Sequence, residues 1–141
     1  MPLKLSEYKN KELLYVIQFH RASHDHWDFR LEMNGVLKSW AVPKSPADLK
    51  EGKKHLAIQV EDHDLSYGNF EGEIKEGYGK GTVKMWDNGT YVLEDKKPDK
   101  IVFELKGKKL KGKYVLLKLK TNYGKTDSKS GKNWLLMKMN N

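Results

Sequence analysis

The sequence predicts an all-β fold, a compact closed or partly closed antiparallel β-barrel with short helical segments. Three observations carry that expectation. Apolar and polar residues alternate in short runs, turn residues separate those runs at even spacing, and no long stretch repeats its apolar positions at the helical period. Closure follows from the even spacing, because a barrel of short antiparallel strands leaves no edge unpaired. At 141 residues the chain has the usual size of one compact domain and buries a core without disulfide or structural-metal support. Residues 1–14 read as a lead-in and residues 15–141 as a single domain.

The first strand is expected at residues 15–20, with Tyr15, Ile17 and Phe19 on one face and Gln18 and His20 on the other. In the second, residues 26–33, Trp27, Phe29, Leu31 and Met33 alternate with His26, Asp28, Arg30 and Glu32. Asn34-Gly35 is a favoured pair for a two-residue type I′ turn, where both positions take positive φ, and it returns the chain as a third strand over 36–42. Further strands are expected at 56–61, 82–86, 90–93, 101–105, 114–120 and 134–139. Turns are expected at Asp87-Asn88-Gly89 and around Gly107 and Gly112. The connecting loops are 43–54, the glycine-rich 68–81 and the polar 121–133, and residues 45–51 suit a short helix capped by Ser45. Trp27, Trp40, Trp86 and Trp134 fall in strand patterns, which places them in the core and not on a base-stacking surface.

Composition narrows the function classes. The net charge of +8 is uneven: residues 1–95 hold 13 Lys+Arg against 16 Asp+Glu, and residues 96–141 hold 14 Lys against 3 acids. A block that basic suits a polyanion such as nucleic acid, and it equally suits a solvated lysine surface. With no cysteine, disulfide scaffolds and zinc fingers are excluded, so a metal site must use His, Asp, Glu or backbone oxygen. No stretch approaches the ~18 apolar residues of a membrane span and the N-terminus lacks a signal-peptide pattern, so a cytoplasmic protein away from membranes is expected.

Chemistry concentrates on the second strand, whose even positions are all ionisable. His26 and Asp28 are same-face neighbours there, and His20 arrives from the adjacent strand. Two imidazoles and a carboxylate suit Mn, Fe, Co or Zn better than Ca or Mg and leave positions open for water and substrate, with manganese the first choice and zinc or cobalt behind it. The competing reading is an ordinary half-buried strand with a polar outer face. Arg30 shares the face, where its planar fork could clamp two phosphate oxygens or pair with an acid. His24 belongs to the loop and reads as a surface or substrate-contacting residue.

A second cluster is Glu61-Asp62-His63-Asp64, followed by Tyr67. His63 could protonate a leaving alkoxide or steady a phosphate oxygen, and Glu61 could orient an imidazole or a metal-bound water; the alternative is a charged turn. Lys44, after Pro43, is a weaker phosphate-contact candidate. Gly77-Tyr78-Gly79-Lys80-Gly81 lacks the Gly-Lys-Ser/Thr ending of a phosphate-cradling loop and no helical pattern comes after it, so it reads as a shaped turn.

These residues resemble a known family. Gln18-Phe19-His20, His26-Trp27-Asp28-Phe29-Arg30-Leu31-Glu32 and Gly35-Val36-Leu37-Lys38-Ser39-Trp40-Ala41-Val42-Pro43-Lys44 closely resemble the start of the 3′-phosphoesterase domain of bacterial DNA ligase D. Val60-Glu61-Asp62-His63, Tyr67, Phe70-Glu71-Gly72, Tyr78-Gly79-Lys80-Gly81-Thr82-Val83, Trp86-Asp87 and Trp134-Leu135-Leu136 extend the resemblance across residues 15–137. It implies a manganese-preferring β-barrel enzyme of DNA repair and end joining. Such an enzyme removes a 3′-terminal ribonucleotide from a primer-template and then the remaining 3′-phosphate, leaving a 3′-hydroxyl for a ligase or polymerase partner. On matching positions, His20, His26 and Asp28 would be metal ligands, Arg30 and His63 would contact the scissile phosphate, and Glu61 and Tyr67 would support the pocket. Gln18, Lys44 and His55 complete the implied phosphate-binding set.

Three departures temper the match. The segment before the first strand is short, which predicts weaker ribonucleotide resection than phosphate removal. His55 stands where the family often has Arg, and residues 75–78 lack a usual proline and fall one residue short. Ligase and polymerase motifs are absent, so a stand-alone, monomeric version of the domain is expected. Two other readings compete. One is a noncatalytic nucleic-acid-binding barrel using the lysine-rich half. The other is a non-haem iron oxygenase that would combine His26 and Asp28 with a distal His63.

Overall fold

The computed structural model describes residues 11–77, 80–120 and 132–139. Among the described residues nine strands run in chain order: β1 Leu13–Arg21, β2 His26–Met33, β3 Val36–Val42, β4 Lys54–Asp64, β5 Gly72–Ile74, β6 Gly81–Lys97, β7 Lys100–Gly107, β8 Lys111–Lys118 and β9 Asn133–Lys138. All pairings are antiparallel, in the order β1-β2-β3-β4-β9-β8-β7-β6-β5, and β1 also pairs with β6. That last pairing closes eight strands into a barrel and leaves the three-residue β5 attached outside the circuit.

Alternation along each strand fills the barrel. Tyr15 and Ile17 from β1, Phe29, Leu31 and Met33 from β2 and Trp40 from β3 meet Tyr91, Phe103, Tyr114, Trp134 and Leu136 in one core. Trp40 and Trp134 pack edge to face with centroids 5.8 Å apart, while Trp27 and Trp86 lean on the core from its margin, so all four tryptophans serve packing. Asn34 (φ 56°) and Gly35 (φ 81°) form the type I′ turn that the sequence requires between β2 and β3.

The expected turn at Asp87-Asn88-Gly89 does not exist. Residues 81–97 form one 17-residue strand, and Asp87 is a buried acceptor instead of a turn residue. Its carboxylate takes hydrogen bonds from the Tyr15 hydroxyl (2.8 Å) and from the backbone N–H groups of Lys108 (2.8 Å), Lys109 (3.0 Å) and Leu110 (2.9 Å). It therefore ties the β7–β8 turn to the barrel wall. Gly89 is needed for a different reason from the one expected: a Cβ there would sit 2.2 Å from the Lys106 carbonyl oxygen of the neighbouring strand.

Other elements differ in extent. β4 runs through Asp64, past the expected end at residue 61. Gly112 lies inside β8, and the helix expected at 45–51 contracts to a 3₁₀ turn, Pro46–Asp48, whose Ala47 N–H is capped by Ser45 Oγ at 3.2 Å. A second 3₁₀ turn, Leu65–Asn69, runs into the expected 68–81 loop, and β5 lies within that loop. Tyr78, Gly79 and most of the expected 121–133 loop lie outside the described residues.

Candidate metal centre

Part of the outer wall formed by β1, β2 and β3 is also buried. Val16, Gln18, His20, Asp28, Arg30, Leu37 and Ser39 all point outward by strand parity, yet none is more than 7% exposed. The segment 65–70 covers part of this wall; Gly68 lies so close that a Cβ there would touch Leu14, Val16 and Leu37.

The hairpin register of β1 and β2 pairs His20 with His26 and Gln18 with Asp28. Three donor groups meet as a result: atoms of His20, His26 and Asp28 lie within 4.8 Å of one another. Asp28 Oδ1 is 3.2 Å from His26 Nε2, and its Oδ2 is 3.7 Å from His20 Nδ1. His26 Nδ1 is 3.1 Å from the His24 carbonyl oxygen, a contact that selects the Nδ1–H tautomer and turns Nε2 toward Asp28. The hydrogen bond to Asp28 pushes the His26 pKa up, against the opposing effect of burial. Cation-binding chemistry fits this set, because a divalent ion would replace that proton as the carboxylate's partner.

Arg30 lies one outward position further along β2. Its Nε donates to Gln18 Oε1 at 2.6 Å, its Nη1 to Ser39 Oγ at 2.8 Å, and its Nη2 faces Asp28 Oδ2 at 3.4 Å. The guanidinium carbon sits 4.9 Å from the Tyr67 ring centroid. Burial lowers the Arg30 pKa, with Asp28 opposing, but the group remains a cation because arginine starts so high.

His63 reaches this face through an irregularity. The β3–β4 register pairs Ser39 with Val60 but Leu37 with His63, so one extra β4 residue is accommodated between them. A bulge of that kind reverses the parity of the strand beyond it, and it moves His63 from the inward to the outward set. The imidazole stacks on Tyr67 (4.5 Å, 26°), which stacks in turn on Phe70 (5.0 Å, 16°). Burial first, then the Arg30 charge, pushes the His63 pKa down, while burial raises that of the Tyr67 hydroxyl.

The sequence-predicted residues divide accordingly. His20, His26, Asp28, Arg30, Gln18, Tyr67 and His63 occupy one patch of wall. Gln18 is fully buried, with Nε2 donating to the carbonyls of Tyr67 (2.8 Å) and Phe70 (3.1 Å), so its polar atoms serve the protein. Glu61 is exposed near the bulge and Lys44 is exposed beyond β3. His55 is not brought to the patch: it is buried on the opposite parity of β4, with Nε2 2.9 Å from Asp48 Oδ1. Nor does His63 join the donor triad, as the oxygenase reading requires; His20 takes that place. Ser39 is a site residue that the motif reading does not single out, although the type I′ turn already fixes its pairing with Arg30.

The fold and the cluster define a closed antiparallel barrel with a two-histidine, one-carboxylate centre on its outer wall, backed by a buried arginine. The sequence profile of the DNA Ligase D 3′-phosphoesterase domain matches residues 18–118. This chain belongs to that family. It is 48% identical to the multifunctional non-homologous end joining protein LigD of Pseudomonas aeruginosa, over 75% of this chain and 13% of that protein. Identity to the same-named protein of Mycobacterium bovis is 43%, over 90% of this chain and 16% of that protein. For Mycolicibacterium smegmatis the values are 38%, 89% and 16%. The chain thus spans a small part of the length of these relatives. Among the described residues no helix is long and apolar enough to cross a membrane.

Proposed function

We propose that this chain is a metal-dependent phosphoesterase that heals 3′ ends of DNA or RNA in repair, acting as a monomer in the cytoplasm. It would cleave a terminal 3′-ribonucleotide from a primer-template and remove the 3′-phosphate left behind, giving a 3′-hydroxyl for ligase and polymerase partners. One observation carries the reading: three donor groups converge beside a buried arginine cation on a wall where each has a structural reason to be. The family description and the end-joining names of the relatives supply the substrate class.

His20, His26 and Asp28 would hold the metal, with manganese favoured and zinc or cobalt as alternatives. A divalent ion bound there would supply Lewis-acid polarisation of a phosphate oxygen. Arg30 keeps a fixed positive charge behind Asp28, where negative charge growing at phosphorus is stabilised without reorganisation. His63, whose pKa burial and the Arg30 charge push down, offers a ring N–H to a phosphate oxygen. Tyr67 holds both groups by stacking. Glu61 and Lys44 are exposed and free to approach the bound end.

The test is manganese-dependent processing of a labelled primer-template ending in one 3′-ribonucleotide, beside the same primer ending in a 3′-phosphate. Conversion to a 3′-hydroxyl by the intact protein and not by His26→Ala is expected. Binding without conversion, whatever the divalent metal, would sink the proposal and favour a binding module.

A further inference from the structure

Arg30 is anchored in a way that the reaction proposed above does not by itself require. Its guanidinium has five N–H groups in one plane. Gln18 Oε1 takes the Nε–H, and Gln18 cannot turn away because its amide nitrogen is held by two carbonyls of the 65–70 segment. Ser39 Oγ takes an Nη1–H, and the Ser39 hydroxyl donates its own proton to the Leu37 carbonyl at 3.1 Å. That donation leaves only lone pairs toward Arg30. Ser39 is fully buried. Gln18 at Nε and Ser39 at Nη1 hold two edges of the plane, beside the Asp28 contact at Nη2 (3.4 Å) and the Tyr67 ring over its face; without Ser39 the Nη1 edge is released and the plane can tilt about the other contacts.

We propose that Ser39 is a positioning residue: its oxygen fixes the Arg30 guanidinium so that the N–H groups not used by Gln18 and Ser39 stay aimed past Asp28 at the scissile phosphate. This rests on the phosphoesterase reading. Ser39 touches no substrate and acts only through Arg30. Hydrogen-bond geometry carries the assignment, and the hairpin register explains it, since the Asn34-Gly35 turn places Ser39 directly opposite Arg30 on the same face.

The experiment compares wild type, Ser39→Ala, Ser39→Thr, Arg30→Lys and the Arg30→Lys/Ser39→Ala double variant. It measures kcat and KM for manganese-dependent 3′-phosphate release, with nitrogen-detected NMR of the arginine side chains. An anchored guanidinium shows separate Nη resonances; a swinging one averages them. The expectation for Ser39→Ala is a kcat lower by ~10-fold or more, KM within about 2-fold, and averaged Arg30 Nη signals. Ser39→Thr restores both, and in the Arg30→Lys background the loss of Ser39 has no further effect. Ser39→Cys, close in size and a weak acceptor, carries the same expectation should the alanine variant not fold. Wild-type kcat in folded Ser39→Ala, or a full additional loss in the double variant, overturns the proposal. An inactive wild-type protein overturns the phosphoesterase reading instead, and the Nη spectra then decide the anchoring alone.

Discussion

The two faces of β2 are buried for opposite reasons. Facing inward, Phe29, Leu31 and Met33 are at most 1% exposed and contribute apolar packing. Facing outward, Asp28 and Arg30 are 6% and 2% exposed, and their polar atoms lie against His20, His26, Gln18 and Ser39. Burial alone therefore does not separate core from site. The difference lies in what each face tolerates: an apolar face accepts another group of similar volume, whereas a buried charge accepts only a partner that completes it.

Asp28→Asn gives the largest expected effect on the outer face. The amide keeps the size of the carboxylate but removes the charge that faces Arg30 and that, on the proposed reading, a bound cation would share, so turnover should vanish and manganese binding should weaken beyond detection. Electron paramagnetic resonance of free manganese reads the binding, and circular dichroism checks that the barrel is intact. Normal binding in the variant would place the metal elsewhere. On the inner face, Phe29→Ala should cost about 3–5 kcal/mol of stability through lost burial and the cavity left behind. Activity per folded molecule should be unchanged. Denaturant unfolding paired with activity at low denaturant tests this, and a variant that stays stable but loses turnover would erase the distinction between the faces.

Asp87 sharpens the comparison, because it is an inward carboxylate with no catalytic assignment. Asp87→Ala strips the acceptor from the Tyr15 hydroxyl and three consecutive backbone N–H groups. A loss of about 2–4 kcal/mol is expected, short of the full penalty because the β7–β8 turn can open to water. Turnover should survive. Hydrogen exchange at Lys108, Lys109 and Leu110 should accelerate in the variant, and unchanged protection there would show that other contacts hold the turn.

Much of this was legible in the chain. The strict alternation in 26–33 and the Asn34-Gly35 turn together determined which residues face His20 and which fill the barrel, because a hairpin register leaves no freedom once the turn is set. What was not legible depends on contacts distant in sequence. Asp87-Asn88-Gly89 has turn composition, but the acceptor's partners arrive from residues 15 and 108–110. His63 reached the site face only through a bulge, and parity counting along 56–63 assigns it inward. His55 shares the inward parity of Ala57, so strand counting places it inside; only its partner Asp48, on a connection whose path the sequence does not specify, was out of reach.

The smallest effect separates the two regions by pH. Burial, reinforced by Asp87, holds the Tyr15 hydroxyl far above its ordinary value, and burial with a weaker effect of Asp87 pushes that of Tyr114 up to about 12. In the unfolded chain both ionise near ~10. For an acid whose folded pKa is raised, the folded state binds the proton more tightly, so its contribution is complete below ~10 and is lost as pH rises toward the folded values. Thermal midpoints should therefore hold up to that pH and fall above it. Tyr15→Phe should flatten the fall, since it removes one of the two ionisations, while also lowering the midpoint at neutral pH by removing the bond to Asp87. Absorbance of tyrosinate should show Tyr15 and Tyr114 resisting ionisation until the barrel opens. Early titration of either residue in a folded barrel would mean that water reaches the core, and the inner face would then be no drier than the outer one.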